Sequence, residues 1–254
     1  TIEINKNDLK TSFSRLDPKY YLFKNNIKRI KSKKNIKVQN IEELNIEVTS
    51  GSYIPEYTNS SEGMPYIQVG NIKPYSLNES LRNLKFVSSS VPDKMKVLNG
   101  DILIPRTQNK IQMLGVASIS DYPNNSISIS QHVTKLNFNK SEISPYYLVG
   151  YLNSKFYLSQ LDVASHGDTR VELTHSQVKS LEVIIPEKEK LKKIENKVKK
   201  IILLNREIQD LFKKNATYVN RLLNIESKVK ESNKKISINL LEMKNFDIWN
   251  ASNH

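Results

Sequence analysis

PEKEKLKKIENKVKKIILLNREIQDLFKKNATYVNRLLNIESKVK, residues 186–230, is the stretch that organises this chain. Apolar side chains recur there at Leu191, Ile194, Val198, Ile201, Ile208, Phe212, Val219, Leu222 and Val229. Their spacings are three, four and seven, the repeat of a long helix with an apolar seam along one side. Pro186 closes the apolar run Leu181-Glu182-Val183-Ile184-Ile185 and suits the first turn of a helix. About 44 residues at 1.5 Å each predict a rod of roughly 65 Å, longer than an ordinary globular helix. Asn205 and Asn215 sit at seam positions, where a polar residue costs stability but selects register and partner number. Ile202, Leu204, Leu211, Tyr218, Leu223 and Ile225 widen the stripe. Such a helix either folds back on its own domain or pairs with a second helix. The extent of stripe beyond the domain favours pairing.

Upstream of the rod, Asp17-Pro18 opens a short basic helix over residues 18–31, with Tyr20, Phe23, Ile27 and Ile30 at helical spacing. Short apolar runs follow at Pro65–Val69, Leu84–Val87, Asp101–Ile104, Gly115–Ile119, Ile127–Ile129 and Val133–Phe138. Gly, Pro, Asn or Ser separates most of them, the pattern of strands joined by turns. One helix is predicted from Pro145 to Leu158, and Thr174 or Ser176 as the cap of a short one. The fold class is therefore α+β: a strand-rich mixed globular domain followed by a long helix of coiled-coil type. The divisions are a basic helical segment at 1–35, the globular domain at 36–186, the long helix at 187–230 and a tail at 231–254.

The net charge of +13 is unevenly spread. Residues 1–38 carry +8, residues 39–186 carry −2 and residues 187–254 carry +7. Seven Lys or Arg lie between Lys24 and Lys37, and seven between Lys188 and Lys200. Either cluster alone reads as a solvated helix face. Two of them flanking a neutral domain point to a polyanion, whose phosphates release counterions to Lys and Arg. The absence of cysteine excludes disulfides and thiolate metal sites and fits a cytoplasmic protein. No apolar run reaches the 18 residues a membrane span needs, so no membrane partner is expected.

Catalytic patterns are missing. The histidines (His132, His166, His175, His254) are scattered, with no second ligand at metal spacing. Neither G-x-x-x-x-G-K-[ST] nor G-x-G-x-x-G occurs. Asp101 starts a strand as in some metal-dependent nucleases, but no Glu-x-Lys follows nearby. There is no Asn-Pro-Pro-aromatic tetrapeptide to hold a flipped adenine. No catalytic residue, metal or cofactor is expected.

A set of ordered segments carries a family resemblance. These are Thr49-Ser50-Gly51-Ser52-Tyr53-Ile54-Pro55, Gly63-Met64-Pro65-Tyr66-Ile67-Gln68-Val69-Gly70-Asn71-Ile72, and Leu98-Asn99-Gly100-Asp101-Ile102-Leu103-Ile104-Pro105-Arg106. Pro145-Tyr146-Tyr147-Leu148, Leu152-Asn153-Ser154, Gly167 and Val183-Ile184-Ile185-Pro186 follow. In this order they resemble the DNA specificity subunits of type I restriction–modification systems, and the related target recognition domains fused to some adenine methyltransferases. The resemblance covers residues 36 to 230. Three departures stand out. Glu187-Lys188-Glu189-Lys190 replaces the family's Glu-Gln at the helix start, and Gln108-Asn109-Lys110 replaces a Gly-rich turn. Full members also carry two recognition domains and two helices, whereas this chain carries one of each.

The resemblance implies a half-length specificity subunit, non-catalytic, that brings an N6-adenine methyltransferase, with or without a restriction subunit, to double-stranded DNA. It implies a second half subunit, paired through the helix. The alternatives are the recognition part of a fused type II enzyme and a coiled-coil nucleic-acid-binding adaptor. Base edges are read by Arg at guanine and by Asn or Gln at adenine. The loop residues suited to this are Ser52, Tyr53, Gln68, Asn71, Lys73, Tyr75, Arg106, Gln108, Asn109, Lys110, Gln131, His132 and Arg170. Lys28, Arg29, Lys31, Lys33, Lys34, Lys192, Lys193, Lys199 and Lys200 are the phosphate candidates. For Arg106, an ion pair inside the domain is an equal expectation.

Overall fold

Ile102-Leu103-Ile104 lies in the middle strand of the largest sheet, each residue no more than 1% exposed. A strand covered on both faces reads as a continuous apolar run rather than an alternating one. The other elements supply the two coverings.

The structure is a computed structural model and describes residues 18–54, 56–59, 62–77, 84–138, 140–164 and 171–222. Helix α1 (Pro18–Lys31) precedes strands β1 (Ile36–Asn40), β2 (Glu47–Ser50), β3 (Gly63–Ile67) and β4 (Tyr75–Ser76). Next come β5 (Lys85–Ser88), β6 (Ile102–Pro105), β7 (Thr107–Gln108) and the single turn α2 (Ile111–Leu114). Strands β8 (Ser118–Ile119), β9 (Ser128–Ile129) and β10 (Val133–Asn137) lead to helices α3 (Pro145–Leu152) and α4 (Lys155–Ala164). Then follow β11 (Val171–Glu172), α5 (His175–Lys179), β12 (Glu182–Pro186) and α6 (Lys188–Leu222). The chain divides into two units, Thr1–Asn205 and Arg206–His254. The class is α+β, as the patterning predicts, and α1 matches the predicted basic helix. Arg170, Val229 and the tail at 231–254 lie outside the described residues.

Within the first unit the main sheet has the order β2-β10-β6-β8-β4, antiparallel except for the β4–β8 pair. A second sheet has the order β5-β3-β9, and β1–β12 and β7–β11 form two ribbons. Successive strand residues point to opposite faces. Ile102 and Ile104 of β6 and Leu136 of β10 accordingly join Leu148, Leu152, Tyr157 and Leu161 of the helices in the larger core. Leu103 and Val133 face the other way, into a cluster with Ile67, Ile72, Val97, Ile127 and Ile129. Burying each of these side chains stabilises the fold by about 1.5–3 kcal/mol.

The predicted single helix at 145–158 is two helices, and Asn153 is the reason. Its Nδ2 donates to the Val149 carbonyl at 2.7 Å and to the Ala117 carbonyl at 2.9 Å, while its Oδ1 accepts the Ala117 N–H at 3.1 Å. The side chain thus ends α3 and fastens that end beside β8. Ser154 restarts the chain by accepting the Tyr157 N–H at 3.3 Å. Tyr147 and Tyr151 clip α3 to β12 through the carbonyls of Ile184 and Glu182, the second at 2.7 Å. Burial pushes the Tyr147 phenol up to about 12.

The first turns of α6 are occupied inside the domain. Leu191 packs against the larger core, and Val198 and Ile202, each 4% exposed, are members of it. Ile194 stands 37% exposed. Farther along, Ile208, Leu211, Phe212, Tyr218 and Val219 are 46–71% exposed. Close approach of α3 and α6 depends on Gly150, where an added Cβ would lie 2.7 Å from Val198 Cγ2. Gly150→Leu is therefore expected to destabilise by about 1–3 kcal/mol through overpacking, despite the ~1 kcal/mol of helix propensity it gains. A lowered urea midpoint with an unchanged slope would report it; an unchanged midpoint would mean that α6 does not dock here.

Candidate nucleic-acid interface

Strand register decides which loops share an end of the main sheet. β10 runs antiparallel to β2 and β6, with Thr134 opposite Ser50 and Val133 opposite Pro105. Gln131 and His132, before β10, therefore lie beside Ser52 and Tyr53, after β2, and beside Arg106 to Lys110, after β6. β8 is antiparallel to β6 and parallel to β4, which brings Lys73 and Tyr75 to the same end. β3 and β9 run parallel, Ile67 opposite Ile129, so Gln68 and Asn71 follow β3 where Ser130 follows β9. Every base-reading candidate among the described residues thus falls on one edge.

At its centre the Arg106 backbone is held twice: its N–H donates to the His132 carbonyl at 2.7 Å, and its carbonyl accepts the Leu173 N–H at 2.9 Å. Its side chain pairs with Glu172, Nη2 to Oε1 at 3.0 Å, and both remain part-exposed. The intramolecular ion pair anticipated for this arginine is therefore present. Arg106 Nε is buried without a hydrogen-bond partner. Thr107 Oγ1 lies 2.9 Å from His132 Nδ1, and Gln131 Nε2 lies 3.1 Å from His132 Nε2. These residues and Glu172 line a cleft of about 220 Å³, below the ~300–1,000 Å³ usual for a small-molecule pocket. It suits the edge of a large partner better than an enclosed ligand.

Other candidates also serve the loops themselves. Asn71 Oδ1 accepts the Gln68 N–H at 2.9 Å. Lys73 is pinned through its backbone by Ser118 Oγ, which accepts its N–H at 3.0 Å and donates to its carbonyl at 2.6 Å. Tyr75 takes φ 71°, a left-handed conformation costly for an aromatic residue. Such strain persists where surrounding structure imposes it, often at functional sites.

Sequence reading missed Tyr57, Lys85, Glu172 and His175. Lys85 pairs with Tyr66 across β5 and β3, and its ammonium lies 4.1 Å above the Tyr57 ring. Tyr57 is 46% and Tyr53 68% exposed, so the edge continues as an aromatic and cationic surface. Glu172 reaches Arg106 because β11 pairs with β7, a contact between distant segments that no local motif announces. His175 Nε2 lies 2.7 Å from Ser50 Oγ, a spacing that also suits a nucleophile and its base. Desolvation, with Arg106 and Lys179 nearby, pushes the imidazole below its ordinary value. Cations beside it disfavour the imidazolium that a general base becomes, so the pair is better suited to holding β2 than to catalysis.

The phosphate candidates gather elsewhere. Ile36 pairs with Pro186, so Lys33 and Lys34 lie beside the start of α6 with its Lys192 and Lys193. At the other end of the β1–β12 ribbon, Ile41 bonds Leu181 and Glu42 bonds Lys179, leading to α5 and the edge that carries Arg106. Lys28, Arg29, Lys192 and Lys200 are exposed. Lys31 pairs with Glu182 and Lys193 with Glu189, both at 2.9 Å, and Lys199 covers the Tyr146 ring at 4.8 Å. Asp101 is engaged structurally: its Oδ2 accepts the Leu98 N–H at 2.8 Å and its Oδ1 the Asn137 Nδ2 at 2.9 Å, closing the turn at Gly100.

No family model and no curated protein matches the sequence. Among solved structures, a chain of a type I restriction–modification system superposes with a TM-score of 0.50 at 13% identity, over 80% of this chain and 49% of that one. The type IIG restriction endonuclease BpuSI superposes with a TM-score of 0.54 at 12% identity, over 76% of this chain and 29% of the other. This chain has their fold. The S subunit of a type I restriction–modification system from M. genitalium is also similar, with a TM-score of 0.45 at 17% identity, over 64% and 38% of the two chains. The chain spans about half the length of these proteins or less.

The depressed His175 ionisation has a checkable sign. A histidine that binds its proton less readily when folded costs nothing above about pH 6.5, and destabilises progressively as pH falls below that value. Folding stability should decline below pH 6.5, and His175→Asn should make that decline shallower in urea titrations at pH 7.5 and pH 5.5. Parallel declines in the two proteins would remove His175 as a contributor.

Proposed function

We propose that this chain is the sequence-reading part of a restriction–modification assembly. It binds duplex DNA through the edge that carries Arg106, Gln131 and His132, and it directs an adenine methyltransferase rather than performing chemistry itself. The observation that carries the reading is the register: loops far apart in sequence converge on one edge, with Arg, Gln, Asn and Lys side chains suited to base edges. The likeness in fold to a type I restriction–modification chain supports it. The basic cluster around the start of α6 supplies phosphate contacts that position the protein without reading sequence.

The exposed part of the α6 stripe pairs with a second copy of the chain. A two-fold pair would read a palindromic bipartite site, because protein symmetry is mirrored in the DNA it binds. A second reading, as the recognition part of a longer fused enzyme, is favoured by the BpuSI likeness and the small share of that chain covered. A continuous, non-palindromic target would select it.

Binding to a random duplex library, followed by sequencing, tests the reading. Arg106→Ala should relax preference by about 1–3 kcal/mol at one base pair. Stability should hardly change, since a part-exposed ion pair contributes ~0–1 kcal/mol. A destabilised variant with unaltered preference would make Arg106 structural. Reversing Lys192, Lys193, Lys199 and Lys200 to Glu should weaken binding to all sequences alike and flatten its salt dependence.

Pairing has its own test. Ile208 and Phe212 are 50% and 71% exposed, so Ile208→Asp with Phe212→Asp should leave the fold intact. Removing two apolar side chains worth ~1.5–3 kcal/mol each should raise a dimer dissociation constant at least a hundredfold in sedimentation equilibrium. A wild-type protein that stays monomeric at high micromolar concentration would exclude pairing.

A further inference from the structure

We infer that Tyr66 is the positioning residue of the reading edge: it touches no base, but sets the relative placement of two loops that do. The inference rests on the DNA-recognition reading above. Tyr66 is 3% exposed, with its ring among Met64, Val87, Val91 and Met95. Its hydroxyl leaves that cluster. It donates to the Ser52 carbonyl at 2.9 Å. Ser52 pairs in turn with Ser130, so this phenol holds the loop of Ser52 and Tyr53 beside the segment that leads into Gln131 and His132.

The tie has little slack around it. Ser52 bridges Ser130, and a Cβ on Gly51 would come within 2.0 Å of the Ile129 carbonyl oxygen. Any shift at Gln131 is passed on, because His132 holds the Thr107 hydroxyl and its carbonyl accepts the Arg106 N–H. Burial, then the neighbouring phenols of Tyr57 and Tyr53, raise the Tyr66 ionisation, so the group remains a hydroxyl donor at neutral pH. Phenylalanine in its place keeps the ring in the cluster and removes the hydrogen bond to Ser52.

The test compares Tyr66→Phe with Tyr151→Phe in the full chain. Tyr151 is a second buried phenol bonded to a backbone carbonyl, but on β12 rather than on the reading edge. Sequence preference is read from a random duplex library and loop order from hydrogen exchange. Tyr66→Phe should cut discrimination at the most strongly selected base pair on the order of fivefold, the worth of about one hydrogen bond. Affinity for unselected DNA should be unchanged, and amides of residues 52–54 and 131–132 should exchange faster. Tyr151→Phe should lose comparable stability and keep the wild-type preference. Identical preferences in wild type and Tyr66→Phe would overturn the inference alone, as would equal relaxation in both variants. A wild type that selects no sequence would overturn the DNA-recognition reading, and this inference with it.

Discussion

Strand β10 is bonded on both sides, to β2 and to β6, and every residue from Val133 to Asn137 is buried. That double pairing, covered on both faces, constrains everything else. A one-residue slip would turn Val133 and Leu136 to the wrong faces and expose apolar side chains worth several kcal/mol together. Alternation also buries three polar residues of β10, and each has a specific partner; Thr134 Oγ1 lies 3.1 Å from Ser50 Oγ. The Lys135 ammonium donates to the Lys96 carbonyl, and Asn137 donates to Asp101. Burial lowers the Lys135 ionisation and raises that of Asp101, while attraction between the two opposes both shifts. The register is thus fixed toward the Asn137 end of β10, and the loops of the candidate edge lie at its Val133 end.

This division explains the charge distribution. The edge that carries Arg106 mixes Arg106 and Lys179 with Glu172 and Glu42, so its cations face carboxylates as well as solvent. The two Lys and Arg clusters, far apart in sequence, meet beyond the β1–β12 ribbon through a single strand pairing. On the DNA-recognition reading, long-range attraction for phosphates and short-range discrimination would lie at different ends of the same ribbon. Salt acts on the first far more than on the second.

Strong periodicity was legible in advance. α1 follows from Asp17-Pro18 and its apolar spacing, β6 from an unbroken apolar run, and α5 from Thr174, which caps it by accepting the Gln177 N–H at 3.2 Å. The break at Asn153 was not, because its amide works through Ala117, a tertiary partner without a local signal. Nor did the stripe of α6 announce which of its residues are buried: Val198 and Ile208 have the same apolar character, yet Val198 is covered where α3 approaches at Gly150 and Ile208 is exposed. At the candidate edge, residue type suggested Arg106, Gln131 and His132. Glu172, His175 and Lys85 were invisible, since strand pairing rather than a motif brings them there.

The Arg106–Glu172 pair carries a kinetic consequence. On the DNA-recognition reading, an arginine that already has a carboxylate must exchange it for a base edge. At a matching site the exchange returns a bidentate contact. At any other site the arginine keeps Glu172, and a carboxylate near the phosphate backbone is mildly repelled. Wrong sequences would then be left quickly rather than bound weakly for long. Search along DNA would proceed by brief visits, and recognition would appear as a longer dwell time, with little change in the rate of arrival.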